Sequence, residues 1–364
     1  MKIKEITSYL ESIAPLSLQE DYDNSGLIIG NQETEVTGIL ITIDCIEEII
    51  EESKKKGANL IIAHHPIIFS GIKKLNGKNY IERTIIKAIK NDIAIFAIHT
   101  NIDNVIGGVS RKIAEKLELQ NTKILDSKTN HLIKLVYFVP VEHADTTRKA
   151  VFESGAGQIG KYDMCSYNVQ GKGSFRAGEG TDPFVGKKGE LHYEDETRVE
   201  VVLPRYLLKN VIKSLIESHP YEEVAYDIYP IENDFSSAGS GIIGDLKKEI
   251  PEADFLTILK NTFHANGIRY TKLLNKPIKK VAVCGGSGSS LLQKAINQKA
   301  DVFVSSDFKY HQFFDAENEI LIADIGHFES EQFTKDLIYE LLIKKFPKFA
   351  VHFTEVNTNP INYL

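Results

Sequence analysis

Cysteine is scarce: Cys45, Cys165 and Cys284 are the only three in 364 residues. An odd number at wide spacing fits a reducing compartment and excludes a disulfide framework or a CxxC metal site. Long apolar runs are also missing, so nothing spans a membrane, and the opening stretch MKIKEITSYLESIAPL spaces its apolar residues like an amphipathic helix, with no signal-peptide core. The expected location is cytoplasmic, with no membrane partner. Basic charge is not in excess, since 43 Lys and Arg stand against 50 Asp and Glu for a net charge of −7. No global positive field exists to hold a nucleic-acid backbone, and nucleic acid is not an expected partner. Low-complexity tracts and short repeats are absent as well. What is present is a 42% hydrophobic content over 364 residues, enough for a large core and two or three domains. With cysteine excluded, any metal must be held by histidine and carboxylates.

Periodicity predicts an alternation of strands and helices: strand GILITID (38–44), helix IEEIIEESKKK (46–56), strand NLIIAH (59–64), helix YIERTIIKAIK (80–90), strand IAIFAIH (93–99) and helix VSRKIAEKLE (109–118). Apolar strands between amphipathic helices imply a mainly parallel sheet covered on both faces. The alternation stops near Lys128. From 131 to 231 the order becomes strand LIKLVYFVP, helix HADTTRKAVFES, extended pieces around CSYNVQG and GELHY, strand RVEVVLP, helix RYLLKNVIKSLIESH and strand VAYDIYPI, a β-α-β-β-α-β arrangement of the ferredoxin-like kind. A loop over NDFSSAGSGIIG (233–244) leads back to alternation. There follow strand KKVAVCG (279–285), helix SSLLQKAINQKA, strand DVFVSS (301–306), a helix around FKYHQFFDA, strand EILIADI (319–325), one long helix FESEQFTKDLIYELLIKKF and strand FAVHFTE (349–355). The expected fold class is therefore α/β: two α/β halves, 1–127 and 235–364, forming one core, with an α+β domain over 128–234 inserted between them.

Ligands of open α/β sheets lie outside the carboxyl ends of the strands. Past NLIIA stand His64 and His65; past IAIFAI stand His99, Asn101 and Asp103; past DVFVSS stand Asp307, Lys309 and His311; past ILIADIG stand His327, Glu329 and Glu331. Strand ends from both halves thus deliver imidazoles and carboxylates to one edge. Zn, Mn, Fe, Co and Ni accept such ligands, and a carboxylate can bridge two ions about 3.5–4 Å apart. In GHFESE, His327 and Glu331 stand at i and i+4 and share a helix face. His64 and His65 must diverge as the strand leaves its sheet at Pro66, so two neighbouring imidazoles can serve two different ions.

The segments AHHPIIF, HTNIDN, SSDFKYH and GHFESEQF, in this order around an inserted domain, resemble the Nif-three-like family of dinuclear-metal proteins, many of which carry the name GTP cyclohydrolase 1 type 2 homolog. The resemblance covers nearly the whole chain, and the insert is similar to the PII/CutA-like domain of longer bacterial members. It implies a dinuclear centre of two divalent ions per subunit, with ligands at His64, His65, Asp103, His327 and Glu331 and with Glu331 as the bridge. It also implies a homohexameric toroid, and a metal-dependent hydrolase acting on GTP or a related nucleotide. A non-catalytic scaffold, regulatory or metal-handling, whose insert senses a small molecule or partner is the competing expectation.

Neighbouring residues have two readings each. His99 either supports the site from behind or caps its strand. Asp307, Lys309 and His311 either orient substrate and handle protons or form a helix-initiating turn capped by Asp307. Asp23, Asn24 and Ser25 either form a turn before a strand or, as their resemblance to a family segment implies, lie near the metal edge. CGGSGSS (284–290) is a tight strand-to-helix turn that lacks the Lys-Ser/Thr of a P-loop, although its amides suit a phosphate. His219 and Glu222 are read as oligomer or loop residues.

Overall fold

A computed structural model describes residues 1–364. The chain divides into two compact units, one made of Met1–Asp126 with Ala238–Leu364 and the other of Ser127–Ser237. No helix is long and apolar enough to cross a membrane.

The chain's first half contributes α1 (Ile3–Ile13), β1 (Gly26–Ile29), β2 (Ile39–Thr42), α2 (Glu47–Lys55), β3 (Leu60–Ala63), α3 (Tyr80–Lys90), β4 (Ala94–Ala97), the short α4 (Thr100–Asp103), α5 (Val109–Lys116) and β5 (Gln120–Lys128). Every residue of ILIT, LIIA and AIFA is buried, as strands packed on both faces require. Alternate residues face opposite ways. Ile39, Ile41, Leu60, Ile62 and Phe96 meet α1 through Ile3, Ile6 and Leu10, while Leu40, Ile61 and Ile95 meet Ile49, Ile50 and Ile85. Each such side chain, fully buried, stabilises the fold by about 1.5–3 kcal/mol. Parallel registers pair Thr42 with Ala63 and Ala63 with Ala97, so β2, β3 and β4 end level with one another.

The second unit holds β6 (Leu132–Pro140), α6 (Ala144–Glu153), β7 (Tyr167–Arg176), β8 (Leu191–Pro204), α7 (Leu208–Ser218) and β9 (Tyr226–Ile231), with strand order β7-β8-β6-β9 and every pairing antiparallel. Ile133, Leu135, Tyr137, Val199 and Val201 alternate onto Val211 and Leu215 of α7 to form its core. GELHY and RVEVVLP, expected as separate pieces, belong to the single strand β8, because the polar stretch between them pairs residue for residue with β7.

The chain then runs through β10 (Phe235–Ile250), α8 (Glu252–Thr262), β11 (Arg269–Tyr270), β12 (Ile278–Ser287), α9 (Leu292–Asn297), β13 (Val302–Ser306), β14 (Leu321–Asp324), α10 (His327–Glu331), α11 (Thr334–Lys345) and β15 (Val351–Phe353). Two sheets organise the first unit, ordered β1-β4-β3-β2-β15 and β11-β14-β13-β12-β10-β5. The final strand thus returns to the sheet of the first half.

Three sequence expectations are corrected. NDFSSAGSGIIG is strand rather than loop, lying in β10, where Ile242 to Asp245 pair antiparallel with β12. Its small residues reflect close approach: Gly241 has φ +68°, and a Cβ there would lie 3.0 Å from the carbonyl of Val283. The long helix after Gly326 is two helices, parted at Gln332 and Phe333, where Gln332 Nε2 donates to the carbonyls of Phe263 and Glu329. FKYHQFFDA forms a 3₁₀ turn over Tyr310–Ala316 whose N-cap is Lys309, so Asp307 caps nothing; its φ of +59° turns it elsewhere.

The second unit leaves through β5 and returns through β10, which are neighbours in one sheet. Replacing residues 128–234 by a short turn is therefore expected to leave the first unit folded, with one cooperative thermal transition and its metal uptake retained. Loss of metal by a variant that still unfolds cooperatively would contradict that independence.

Candidate metal centre

His64 and His65 extend β3 past its sheet. His64 N–H still donates to the carbonyl of Thr42 and His65 N–H to that of Ile43, which fixes their backbone before Pro66 ends the ladder. Their rings lie 4.9 Å apart, tilted by 40°. From β4, Ile98 N–H continues the ladder to Ala63, and α4 then turns the chain back so that Asp103 faces the same edge. That turn is held by amide side chains. Asn101 Nδ2 donates to the carbonyl of Ala14, and Asn104 Nδ2 donates to that of Leu18. His327 and Glu331 come from the single turn of α10.

Every imidazole at this edge is anchored through Nδ1. His64 Nδ1 donates to the carbonyl of Ile98 at 2.9 Å, and His65, His99 and His327 donate to Asp44, Asp23 and Asp307, each at 2.7 Å. A carbonyl or ionised carboxylate only accepts, so Nδ1 carries the proton and Nε2 is directed inward, the arrangement that metal-bound histidines use. Asp44 also accepts from Thr358 Oγ1, and Asp23 from the backbone and hydroxyl of Thr100.

Glu331, 2% exposed, sits among these nitrogens. Its Oε2 lies 3.0 Å from His65 Nε2 and 3.1 Å from His327 Nε2, which are 3.3 Å from each other. Bonds of about 2 Å to a tetrahedral ion put neighbouring ligand atoms about 3.3 Å apart, so this triangle has the dimensions of one face of a coordination shell. Its other oxygen, Oε1, lies 3.6 Å from His64 Nε2, and Asp103 Oδ1 lies 3.9 Å from that same nitrogen. His64 Nε2 and Asp103 Oδ1 are buried without a hydrogen-bond partner, beside a Glu331 carboxylate that has only imidazole nitrogens around it. Orphaned buried acceptors are costly, and a cation satisfies all three at once. Two groups of ligand atoms, His64/His65/His99 and His65/His327/Glu331, each fall within 4.8 Å and can hold a metal ion.

The charges agree with this reading. Burial opposes ionisation of Glu331, but His64 and His327 hold its carboxyl well below the usual range. Burial likewise works against charged His65 and His327, yet Asp44 and Glu331 lift His65 to about 9, and Glu331 and Asp307 lift His327 to about 11. Asp103 keeps a quarter of its side chain accessible while Oδ1 is buried, and burial raises its carboxyl to about 6.

The five residues expected as ligands meet in one cluster, and His99 joins them, its ring 5.3 Å from those of both His64 and His65. Asp307 touches His327. Lys309 and His311 are exposed, and His311 packs against Tyr310 and Phe314 instead of the imidazoles. His219 is occupied at both nitrogens by its own unit, with Nε2 at 2.9 Å from the Phe138 carbonyl and Nδ1 accepting from Tyr221 N–H, and Glu222 accepts from Asp182 N–H. Sequence reasoning passed over Asp44, which the strand-end rule finds two residues beyond β2. It also read CGGSGSS as a turn with amides suited to a phosphate, and missed its part in seating Glu331. Gly286, at φ +61°, is where β12 passes Glu331: a Cβ there would lie 2.2 Å from Glu331 Oε1. Gly286 N–H donates to Ser330 Oγ, and its carbonyl accepts from the hydroxyls of Ser305 and Ser306, so the position is fixed on both sides.

Gly286→Ala is expected to displace the Glu331 carboxylate and weaken divalent-metal affinity by about 10–100-fold, the range for residues that orient ligands; metal analysis after dialysis checks it, and full retention of metal would refute the cradle. The raised values of His65 and His327 mean that both imidazoles are protonated at neutral pH in the metal-free chain, whereas a metal needs bare Nε2. Metal uptake at pH 7 should therefore release protons, and affinity should rise as pH increases through about 9, where His65 gives up its proton, and on toward about 11, where His327 does. Calorimetry in two buffers of different ionisation enthalpy reads the proton count directly.

Comparison with known proteins identifies the family. Residues 1–360 match the family model Duf34/NIF3 (NGG1p interacting factor 3). A Bacillus subtilis protein named GTP cyclohydrolase 1 type 2 homolog is 38% identical, covering 99% of this chain and 98% of its own, and a Listeria monocytogenes protein of the same name is 33% identical over the same shares. Among solved structures, a Bacillus cereus protein related to NIF3 superposes with a TM-score of 0.88 at 38% identity, over 100% of this chain and 99% of its own. A Staphylococcus aureus protein superposes with a TM-score of 0.79 at 29% identity over the same shares. This chain belongs to the Duf34/NIF3 family.

Proposed function

We propose that the cluster is a dinuclear centre for two divalent ions, Zn, Mn, Fe, Co or Ni, and that the chain is a metal-dependent hydrolase of GTP or a related nucleotide. The observation that carries this reading is the division of Glu331: Oε2 faces His65 and His327, while Oε1 faces His64 on the side of Asp103. Only a carboxylate can serve two ions in this way, because an imidazole offers one lone pair. His65, His327 and Glu331 would hold one ion, and His64, Asp103 and Glu331 the other. Bound there, paired cations supply Lewis acidity and a water of lowered pKa.

The chain's own residues do the rest. Asp44, Asp23, Asp307 and the Ile98 carbonyl keep each ring oriented and each Nε2 unprotonated once the site is loaded. His99, part of one ligand-atom group yet outside the Glu331 contacts, is placed to orient a substrate atom or carry a proton. The relatives' shared name supports a nucleotide substrate. Lys309 and His311, exposed on the turn after Asp307, are candidates for substrate contact rather than for the reacting centre. A homohexameric toroid in the cytoplasm completes the proposal.

The second unit is assigned here to the ferredoxin-like PII/CutA kind, on its strand order β7-β8-β6-β9 with α6 and α7 between the strand pairs. Its separate core favours a second reading, in which the chain is a regulatory or metal-handling scaffold and the insert senses a small molecule or partner. Turnover separates the two. Metal-replete protein should hydrolyse GTP, and Glu331→Gln should lower the rate by more than about a hundredfold, beyond the range for residues that merely orient ligands. The same variant should lose one ion more readily than the other, because the neutral amide no longer offsets the repulsion between two cations. His64→Ala should weaken mainly a single ion. Two unchanged binding events in Glu331→Gln would reject the bridge, and metal binding without any turnover would favour the scaffold.

A further inference from the structure

A cavity apart from the imidazole cluster lies beside the edge strand of the six-stranded sheet. Between β11 and the 3₁₀ turn over Tyr310–Ala316 is a cavity of about 620 Å³ lined by Arg269, Tyr270, Lys272, Tyr310, Phe313 and Phe314 among others. That volume falls within the roughly 300–1,000 Å³ range of small-molecule pockets. Three aromatic side chains stay exposed in it, Tyr270 at 52%, Tyr310 at 74% and Phe314 at 65%. Tyr310 and Phe314 pack edge to face at 5.6 Å, which fixes their rings while leaving most of their surface free. Clustered exposed aromatics are not needed by the core and mark a surface built for contact.

The charge in the cavity selects the partner. Arg269 lies over the Phe313 ring at 5.5 Å and is held by Asp324, yet 59% of its side chain remains accessible. Lys272 is exposed and carries no ion pair, and Glu317 is the lining's one carboxylate. Arg269, paired behind with Asp324, and the unpaired Lys272 therefore offer an anion two cationic groups, with Glu317 the one carboxylate in the lining itself. Aromatic faces with adjacent cations recognise flat π-systems that bear negative charge.

We propose that this cavity binds a planar aromatic anion of mononucleotide size, its ring stacked on Tyr310 or Phe314 and its anionic group on Lys272 and Arg269. The site is separate from the imidazole cluster but joined to it. Asp324, which Arg269 holds, also accepts from Phe308 N–H at 3.1 Å and Gly326 N–H at 3.2 Å, the neighbours of Asp307 and His327.

Calorimetric titration of the metal-replete full-length chain with GMP tests this. GMP should bind, guanosine should bind more weakly for want of the phosphate, and Tyr310→Ala and Lys272→Met should each weaken GMP by about tenfold with metal content unchanged. Both side chains are exposed, so neither substitution threatens folding. His65→Ala should leave GMP affinity as it is. Absence of GMP binding overturns the proposal, as does loss of binding in His65→Ala with none in the two cavity variants, which would place the nucleotide on the metal cluster. A change in sedimentation mass in Tyr310→Ala with GMP affinity unaltered also overturns it, since the face would then join copies of the chain.

Discussion

The first unit is arranged around one buried negative charge. Glu331 is 2% exposed, and an uncompensated carboxylate at such a position would cost several kcal/mol. The compensation is graded outward. Three imidazole nitrogens surround the carboxylate, and each ring is tied at its far side, His64 to the Ile98 carbonyl, His65 to Asp44, which Thr358 holds in turn, and His327 to Asp307. Removing any layer leaves the one inside it under-satisfied, which is why the cluster holds its shape without relying on one strong contact.

That arrangement explains the division of the chain. His64, His65 and Asp103 come from the ends of β3 and α4, while Glu331, His327 and Asp307 come from strand ends of the other sheet. Neither half alone supplies all the side chains of the cluster. Their common edge is the carboxyl end of parallel strands, where successive residues leave the ladder and side chains become free to converge. A whole folding unit can interrupt the chain between β5 and β10 because those strands are already neighbours, so its entry and exit lie side by side.

Much of this was legible in the residues. Buried runs such as LIIA and AIFA announce parallel strands, and the rule of looking past strand ends brings out the imidazoles and carboxylates that meet in the cluster, among them His64, His65, His99, Asp103, His327 and Glu331, while the choice of five of them as ligands is what the family resemblance implies. What the sequence concealed depends on tertiary neighbours. The glycines and serines of 236–241 look like a linker, yet Gly241 lies against the Val283 carbonyl of β12, and Gly239 N–H and the Ser240 hydroxyl donate to Asn104. Asp307 looks like a helix cap, yet its left-handed backbone turns it to His327. Gly286 looks like a turn glycine until Glu331 is seen against it. In each case local composition is shaped by a partner far away in the chain, and single-sequence patterns carry no trace of that partner.

The return of β15 to the first sheet has a consequence in time. Thr358, just beyond that strand, bonds Asp44 across 314 positions of sequence, and Asn359 bonds Glu329 in α10. A ribosome delivers these residues long after His64 and His65. Until then Asp44 lacks the Thr358 hydroxyl and Glu329 lacks the Asn359 amide. On the reading of the cluster as a metal centre, any ion met by the early imidazoles would find a site without those anchors, so the choice of metal would be completed only once this segment is in place.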